Sequence, residues 1–134
     1  MKRSHLLIVG CGDIGCRVAP LLLAQGWLVS GLCRSPDRLP DSLSNRIQGD
    51  YTKPDSLLAA SELGAYFLLF TPTPTSFDQA GYQQGYAEGA RAVASVLAPH
   101  IRHILALSST RVYAEREGGW VDEESALAST DPYV

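Results

Sequence analysis

The sequence predicts an α/β fold, a parallel sheet lying between helices on both faces in three layers. Short apolar runs alternate with stretches of helical spacing, and the connections between runs are too long for hairpins. One run, residues 65–70, is apolar without a break, as in a strand covered on both sides.

Each element has its own local signal. Residues 6–9 are a short β-rich run. Residues 14–25 place Ile14, Val18, Leu21 and Leu22 at helical spacing, and Gly26 follows where a helix end favours a left-handed residue. Pro20 inside this helix removes a hydrogen bond and predicts a bend. Residues 27–32 read as a second strand and 46–48 as a short third. Residues 54–60 read as a helix with Thr52 or Lys53 near its cap. After the strand at 65–70, the prolines of "TPTPTS" stiffen residues 71–76 into an extended loop. A long helix is expected over residues 79–97, ended by Pro99. Gly81, Gly85 and Gly89 recur every fourth residue on one of its faces, each costing about 1 kcal/mol relative to alanine. Such a stripe predicts close backbone approach to a sheet, a second helix or a ligand. Residues 102–107 complete about five strands. No repeat, low-complexity tract or internal boundary interrupts residues 1–134, which read as one domain.

Composition narrows the function classes. Apolar residues at 46%, charged residues at 19% and a net charge of −3 describe a globular chain with no bias toward nucleic acid or an anionic membrane. No apolar run approaches the roughly 20 residues that span a bilayer. Lys2 and Arg3 precede an apolar run, but that run is too short for the core of a secretory leader, so it reads as a strand and the protein as cytoplasmic. Cys11, Cys16 and Cys33 are odd in number, contain no CxxC, and read as small buried hydrophobes; His5, His100 and His103 lack ligand spacing, so no metal site is expected.

"VGCGDIG" gives the pattern G-x-G-x-x-G at Gly10, Gly12 and Gly15, after a strand and at the start of a helix. Gly10 permits a tight turn, Gly12 lacks the Cβ that would block a pyrophosphate, and Gly15 lets helix and strand pack closely. Free amides near Asp13 and Ile14 at the helix start suit phosphate charge, with the Asp13 carboxylate turned away into water. The arrangement is that of a Rossmann-like, doubly wound sheet with strand order 3-2-1-4-5, and the implied cofactor is a nicotinamide dinucleotide. An acid commonly ends the second strand of NAD sites; here Arg34 and Ser35 stand there, with Arg38 near. A guanidinium suits a 2′-phosphate, so NADP is favoured and NAD remains an option. Asp50, with Tyr51 beside it, follows the third strand at the ligand-facing edge and is placed to accept from an adenine amino group, or to serve an ordinary turn.

The fifth strand ends in "LSSTRVYAE", where crowded hydroxyls suit a turn, a helix cap or an active site. Together with "VGCGDIG" and "QGDYTKPDSL", the stretch "LSSTRVYAEREGGWVDEES" resembles the short-chain dehydrogenase/reductases, in their extended and atypical branches often described as NAD-dependent epimerase/dehydratases. The resemblance covers essentially the whole chain, as the N-terminal half of a longer member. It implies that Ser109 hydrogen-bonds a reacting oxygen, that Ser108 is a neighbouring structural hydroxyl, and that Thr71 and Pro72 begin a loop over the ribose and nicotinamide. Arg34 and Asp50 match adenosine-side positions. The glycine spacing is nearer to atypical members, and Ala114 stands where glycine is usual. The family base is a tyrosine four residues before a lysine. Tyr133 lies at about the right distance, but the lysine position falls beyond Val134, and tyrosine alone is a poor base near neutral pH.

The resulting expectation is the dinucleotide-binding part of an oxidoreductase or epimerase/dehydratase-like protein, acting on a carbonyl or hydroxyl of a small molecule such as a sugar nucleotide. Ser109 and Tyr133 would be its catalytic groups. Other readings are a non-catalytic nucleotide sensor of the transporter-gating kind and a catalytically silent NADP-binding regulator. The sequence further predicts an exposed fifth strand and either pairing with a second copy, which in this family commonly uses the glycine-bearing helix, or poor solubility.

Overall fold

A computed structural model describes residues 2–134. Five parallel strands form one sheet in the order β3-β2-β1-β4-β5. They are β1 (His5–Val9), β2 (Leu28–Cys33), β3 (Asn45–Gln48), β4 (Phe67–Phe70) and β5 (His103–Ala106). This is the predicted doubly wound arrangement, and β1 is the central strand, pairing with β2 on one side and β4 on the other.

The unbroken apolar character of β1 follows from that position. Leu7 and Val9 point to one face, where Leu68, Phe70, Leu57, Val93 and Leu97 close around them. Leu6 and Ile8 point to the other, against Ala19, Val29 and Leu69. Alternate side chains thus enter two separate cores, and each fully buried Leu or Ile contributes about 1.5–3 kcal/mol. His5 also lies inside, where its Nε2 is 2.7 Å from the Ser30 hydroxyl, which accepts from Asn45 at 2.9 Å. Burial lowers the His5 pKa below 6.5, against a smaller upward pull from the Leu63 backbone.

Helix α1 (Asp13–Leu23) covers the Leu6/Ile8 face. It runs on through Pro20, whose exposed position puts the missing donor on the solvent side. Gly26, at φ +81°, ends it; its N–H donates to Leu23 and that of Trp27 to Leu22. On the opposite face a 3-10 turn (Pro54–Leu57) leads into α2 (Leu58–Ser61).

The expected long helix over 79–97 departs from regularity. It begins as α3 (Gln79–Tyr82), widens into a π-helical stretch (Gln83–Glu88) and resumes as α4 (Gly89–Val96). The glycine stripe explains what this helix meets: the chain's own "TPTPTS" loop. A Cβ on Gly81 would collide with Ser76 and one on Gly85 with the Thr73 carbonyl, while one on Gly89 would come 2.8 Å from the Tyr51 ring. At Gly81 and Gly85 the neighbour is therefore a loop, which the three options weighed from sequence did not include, whereas Gly89 faces Tyr51 and, at 3.5 Å, the Phe70 ring of β4 in the sheet.

β5 differs from the rest. All four of its residues are exposed, and it pairs only with β4. Beyond it come a 3-10 turn (Thr110–Val112) and loops fastened by one antiparallel bridge between Tyr113 and Leu127. Among the described residues, no helix is long and apolar enough to cross a membrane.

Candidate functional site

The loops after β1, β2, β3 and β4 converge on a cleft of about 500 Å³ at the C-terminal ends of the strands. A parallel sheet brings all its C-terminal ends to one edge, and the reversal of strand order beside β1 parts the loops there. From the first loop come Gly10, Gly12 and Asp13; from the second, Arg34 and Ser35; from the third, Asp50 and Tyr51; from the fourth, Thr71.

The glycine roles read from sequence have a geometric basis. Gly10 holds φ +81°, and a Cβ there would lie 2.9 Å from the Thr71 carbonyl. Gly15 sits inside the fold, where a Cβ would come 2.9 Å from Ile8 and 2.8 Å from the Cys11 sulfur. Gly12 instead opens onto the cleft, its nearest neighbour in that direction being the Gly10 carbonyl at 3.7 Å. No side chain caps the start of α1, so the first-turn amides keep their hydrogen-bonding capacity for a ligand. The Asp13 carboxylate faces solvent and pairs with Arg17 at 3.1 Å, as its charge requires.

Arg34, Ser35 and Arg38 form the exposed wall beyond β2, and Arg34 and Arg38 have no ion-pair partner among the described residues. Asp50 lies across from them. Burial alone would raise its pKa, but hydrogen bonds from Thr52, with Lys53 and Arg34 nearby, outweigh burial and hold the carboxyl low. One oxygen of Asp50 accepts from both the Thr52 N–H at 2.9 Å and its hydroxyl at 2.6 Å. The turn role weighed for Asp50 is therefore real, and its second oxygen stays available at the cleft.

Tyr51 does more than the sequence revealed. Its hydroxyl accepts from the Thr73 N–H at 2.9 Å and reaches the Thr73 carbonyl at 3.1 Å. Its ring meets Phe70 edge-on with centroids 5.2 Å apart, beside Gly89. It thus ties the fourth loop to the third, with Thr71 donating to the Gly10 carbonyl at 2.7 Å. Thr73, Pro74 and Thr75 line the cleft, whereas Pro72 does not. Ile14 and Gly15 do not line it either: Ile14 is about half exposed on the helix, and Gly15 is a packing residue. Cys11, Cys16 and Cys33 do line it, which their reading as buried hydrophobes left out.

The hydroxyl cluster occupies a second place. Ser108, Ser109 and Tyr133 share a cavity of about 220 Å³ with Tyr82, Tyr86 and Arg111. Ser109 is a helix cap, because its Oγ accepts from the Arg111 N–H at 3.2 Å at the start of the Thr110–Val112 turn. Tyr133 stands edge-on to Tyr82 at 5.1 Å, and the Arg111 guanidinium lies 4.8 Å over its ring. Asp131 accepts from the Tyr133 N–H at 2.9 Å and pairs with Arg111 at 3.2 Å. The fold therefore brings Ser109 and Tyr133 together, but in a cavity separate from the glycine-loop cleft. Among the described residues no group of His, Cys, Asp or Glu is placed to hold a metal ion.

Comparison with solved structures gives this geometry a context. A protein of Methylobacillus flagellatus described as an NAD-dependent epimerase/dehydratase is 33% identical, over 94% of this chain and 44% of its own, with a TM-score of 0.75. The neighbours are epimerase/dehydratase and short-chain dehydrogenase/reductase proteins. A short-chain dehydrogenase/reductase superfamily protein from Agrobacterium tumefaciens, with bound NAD, is 25% identical over 97% of this chain and 40% of its own, with a TM-score of 0.74. The Bordetella bronchiseptica enzyme WbmG, in complex with NAD, shares the fold at 19% identity and a TM-score of 0.78, over 98% of this chain and 46% of its own. The chain thus spans less than half the length of these relatives. No protein-family model and no curated protein matches it. The epimerase/dehydratase resemblance drawn from the sequence agrees with these neighbours.

Proposed function

We propose that the chain is the dinucleotide-binding portion of an NADP-preferring oxidoreductase or epimerase/dehydratase-like protein acting on a carbonyl or hydroxyl group. The observation that carries this is the convergence of four strand-end loops on one cleft that has an open Gly12 and an uncapped helix start. The diphosphate would rest on the first-turn amides of α1, and the adenosine would lie between Arg34 and Asp50. Once bound, the nicotinamide supplies hydride transfer; the chain's own residues bind and orient it.

Arg34 supports NADP within this reading, since its guanidinium, without an ion-pair partner among the described residues, stands beside Ser35 on the adenosine wall. Two of the compared structures hold NAD, so the preference rests on this residue. Replacing Arg34 by Ala should weaken NADPH binding roughly ten- to hundredfold, the range of one charge-assisted hydrogen bond, and leave NADH nearly unchanged. Fluorescence titration with both nucleotides reads this directly, and equal losses for both would remove the assignment.

The place of Ser109 and Tyr133 in a cavity of their own, apart from the glycine-loop cleft, favours a second reading, in which the chain binds nucleotide without turnover. A serine whose oxygen is engaged by a backbone amide retains its proton for a substrate oxygen, so it suits either reading. Single-turnover hydride transfer to a generic carbonyl substrate, compared between the wild type and Ser109→Ala, separates them.

A further inference from the structure

Three thiols gather where none was expected to have a role. Cys11, Cys16 and Cys33 come from the glycine loop, the first turns of α1 and the end of β2, and all three line the proposed dinucleotide cleft. They meet there although Cys33 lies on a different strand from the glycine loop, and both Cys16 and Cys33 act on the Cys11 thiol. The Cys11 sulfur is also lodged between α1 and β2, 2.8 Å from where a Gly15 Cβ would be and 3.3 Å from a Gly31 Cβ. The three differ in access, because Cys11 is buried while Cys16 and Cys33 are partly exposed.

We infer that Cys16 and Cys33 form a thiol-modification site in the cleft, where an anionic low-molecular-weight disulfide adds a mixed disulfide that excludes the dinucleotide. Resting on the dinucleotide reading above, this adds regulation to the same site. The cleft favours such a reagent: the helix start and the guanidinium groups of Arg34 and Arg38 that suit a phosphorylated nucleotide also draw a carboxylate-bearing disulfide. In the exchange, a protein thiolate attacks one sulfur of the reagent. A new S–S bond forms, the reagent's own S–S bond breaks, and the departing half leaves as a thiolate that takes up the proton. Cys11 takes no part, since burial, followed by the neighbouring Cys16, pushes its thiol up to about 12. An adduct the size of a tripeptide fills space that the adenosine needs, and a reducing thiol restores the cleft.

The test uses oxidised glutathione on the whole chain. Intact-mass and peptide-mapping measurements should find the glutathionyl group on Cys16 or Cys33 and none on Cys11. Saturating NADPH should slow the labelling roughly tenfold or more, and the labelled protein should bind NADPH at least about tenfold more weakly until dithiothreitol is added. The Cys16→Ser/Cys33→Ser double variant should take up no label. Should that variant fail to fold, protection of the wild type by NADPH remains the deciding comparison. Labelling on Cys11, no labelling at all, or labelled protein that binds NADPH as tightly as unlabelled protein would overturn the inference. If the reduced protein binds no dinucleotide, the functional reading fails by itself, while peptide mapping still decides whether Cys16 and Cys33 are the reactive thiols.

Discussion

The two ends of the sheet's ligand-facing edge are built differently. From β1 to β4, every loop leaves a strand paired in the sheet, β3 at its other edge, and the loops are tied to each other. Gly10 meets Thr71, Tyr51 holds Thr73, and Gly81 and Gly85 seat residues 73–76. At β5 the strand is exposed on both faces, with Leu105 at 64%, and the hydroxyls that follow it are organised by contacts among residues 108–134 and by Tyr82 against Tyr133. The first region holds its geometry through long-range packing. The second holds it through caps, the ion pairs of Asp131 with Arg111 and Arg116, one bridge and the Tyr82–Tyr133 contact. A binding site can be pre-organised by the first kind of support alone, whereas groups that must align on a reacting atom at the second place need further support.

Core substitutions should break the comparison most clearly if it is wrong. Ile8→Ala removes a side chain fully buried between β1 and α1, and should cost about 2–5 kcal/mol in denaturant unfolding. Leu105→Ala, in the exposed strand, should change stability by no more than about 0.5 kcal/mol. Similar losses for both would show that β5 is packed as tightly as β1.

A smaller effect sharpens the account of the glycine stripe. In Gly85→Ala the new methyl group would meet the Thr73 carbonyl, so the helix or the loop must move, at about 1–3 kcal/mol. Dinucleotide affinity should fall with it, because Thr73 lines the cleft. If Gly85→Ala instead stabilises the protein, as a solvent-exposed helical site would, the loop is not seated on this face.

The smallest effect concerns acid. His5 is buried against Ser30, with its folded pKa lowered from 6.5, so the folded state binds fewer protons than the unfolded state. Stability from this group is therefore complete above its unfolded value and declines as pH falls through it, by at most about 1.4 kcal/mol per pH unit. Urea melts at about pH 7.5 and about pH 5.5 should show this loss, and His5→Asn should flatten the slope. A slope unchanged by that substitution would assign the acid sensitivity to other groups.

The same contrast explains what the sequence disclosed. The strand order, the glycine loop and the outward turn of Asp13 were legible because each depends on neighbouring residues and on rules of parallel sheets. Gly10, Gly12 and Gly15 each had a stated physical need, and each occupies a place that meets it. The stripe at Gly81, Gly85 and Gly89 signalled a close neighbour, but its identity depended on where the earlier loops carrying Tyr51, Thr73 and Ser76 would fold back. The π-helical stretch was hidden for the same reason, as local spacing does not distinguish a widened turn from a regular one. The thiol cluster and the clasp between Tyr51 and Thr73 arise only when separate loops meet. At the other place, "SST" contained a helix cap in plain view, since a serine before a turn is a frequent cap; what it did not reveal was that Ser109 and Tyr133 share a cavity of their own.

Dinucleotide binding as proposed requires the amides at the start of α1 to hold a diphosphate beneath an open Gly12. Calorimetric titration of the wild type and Gly12→Ala with NADPH tests it most directly, because the added Cβ meets nothing closer than 3.7 Å in the protein itself. The account predicts one saturable site in the wild type, and a Gly12→Ala protein that melts normally but binds at least about tenfold more weakly. Undiminished binding by that variant, or none by the wild type, would contradict it.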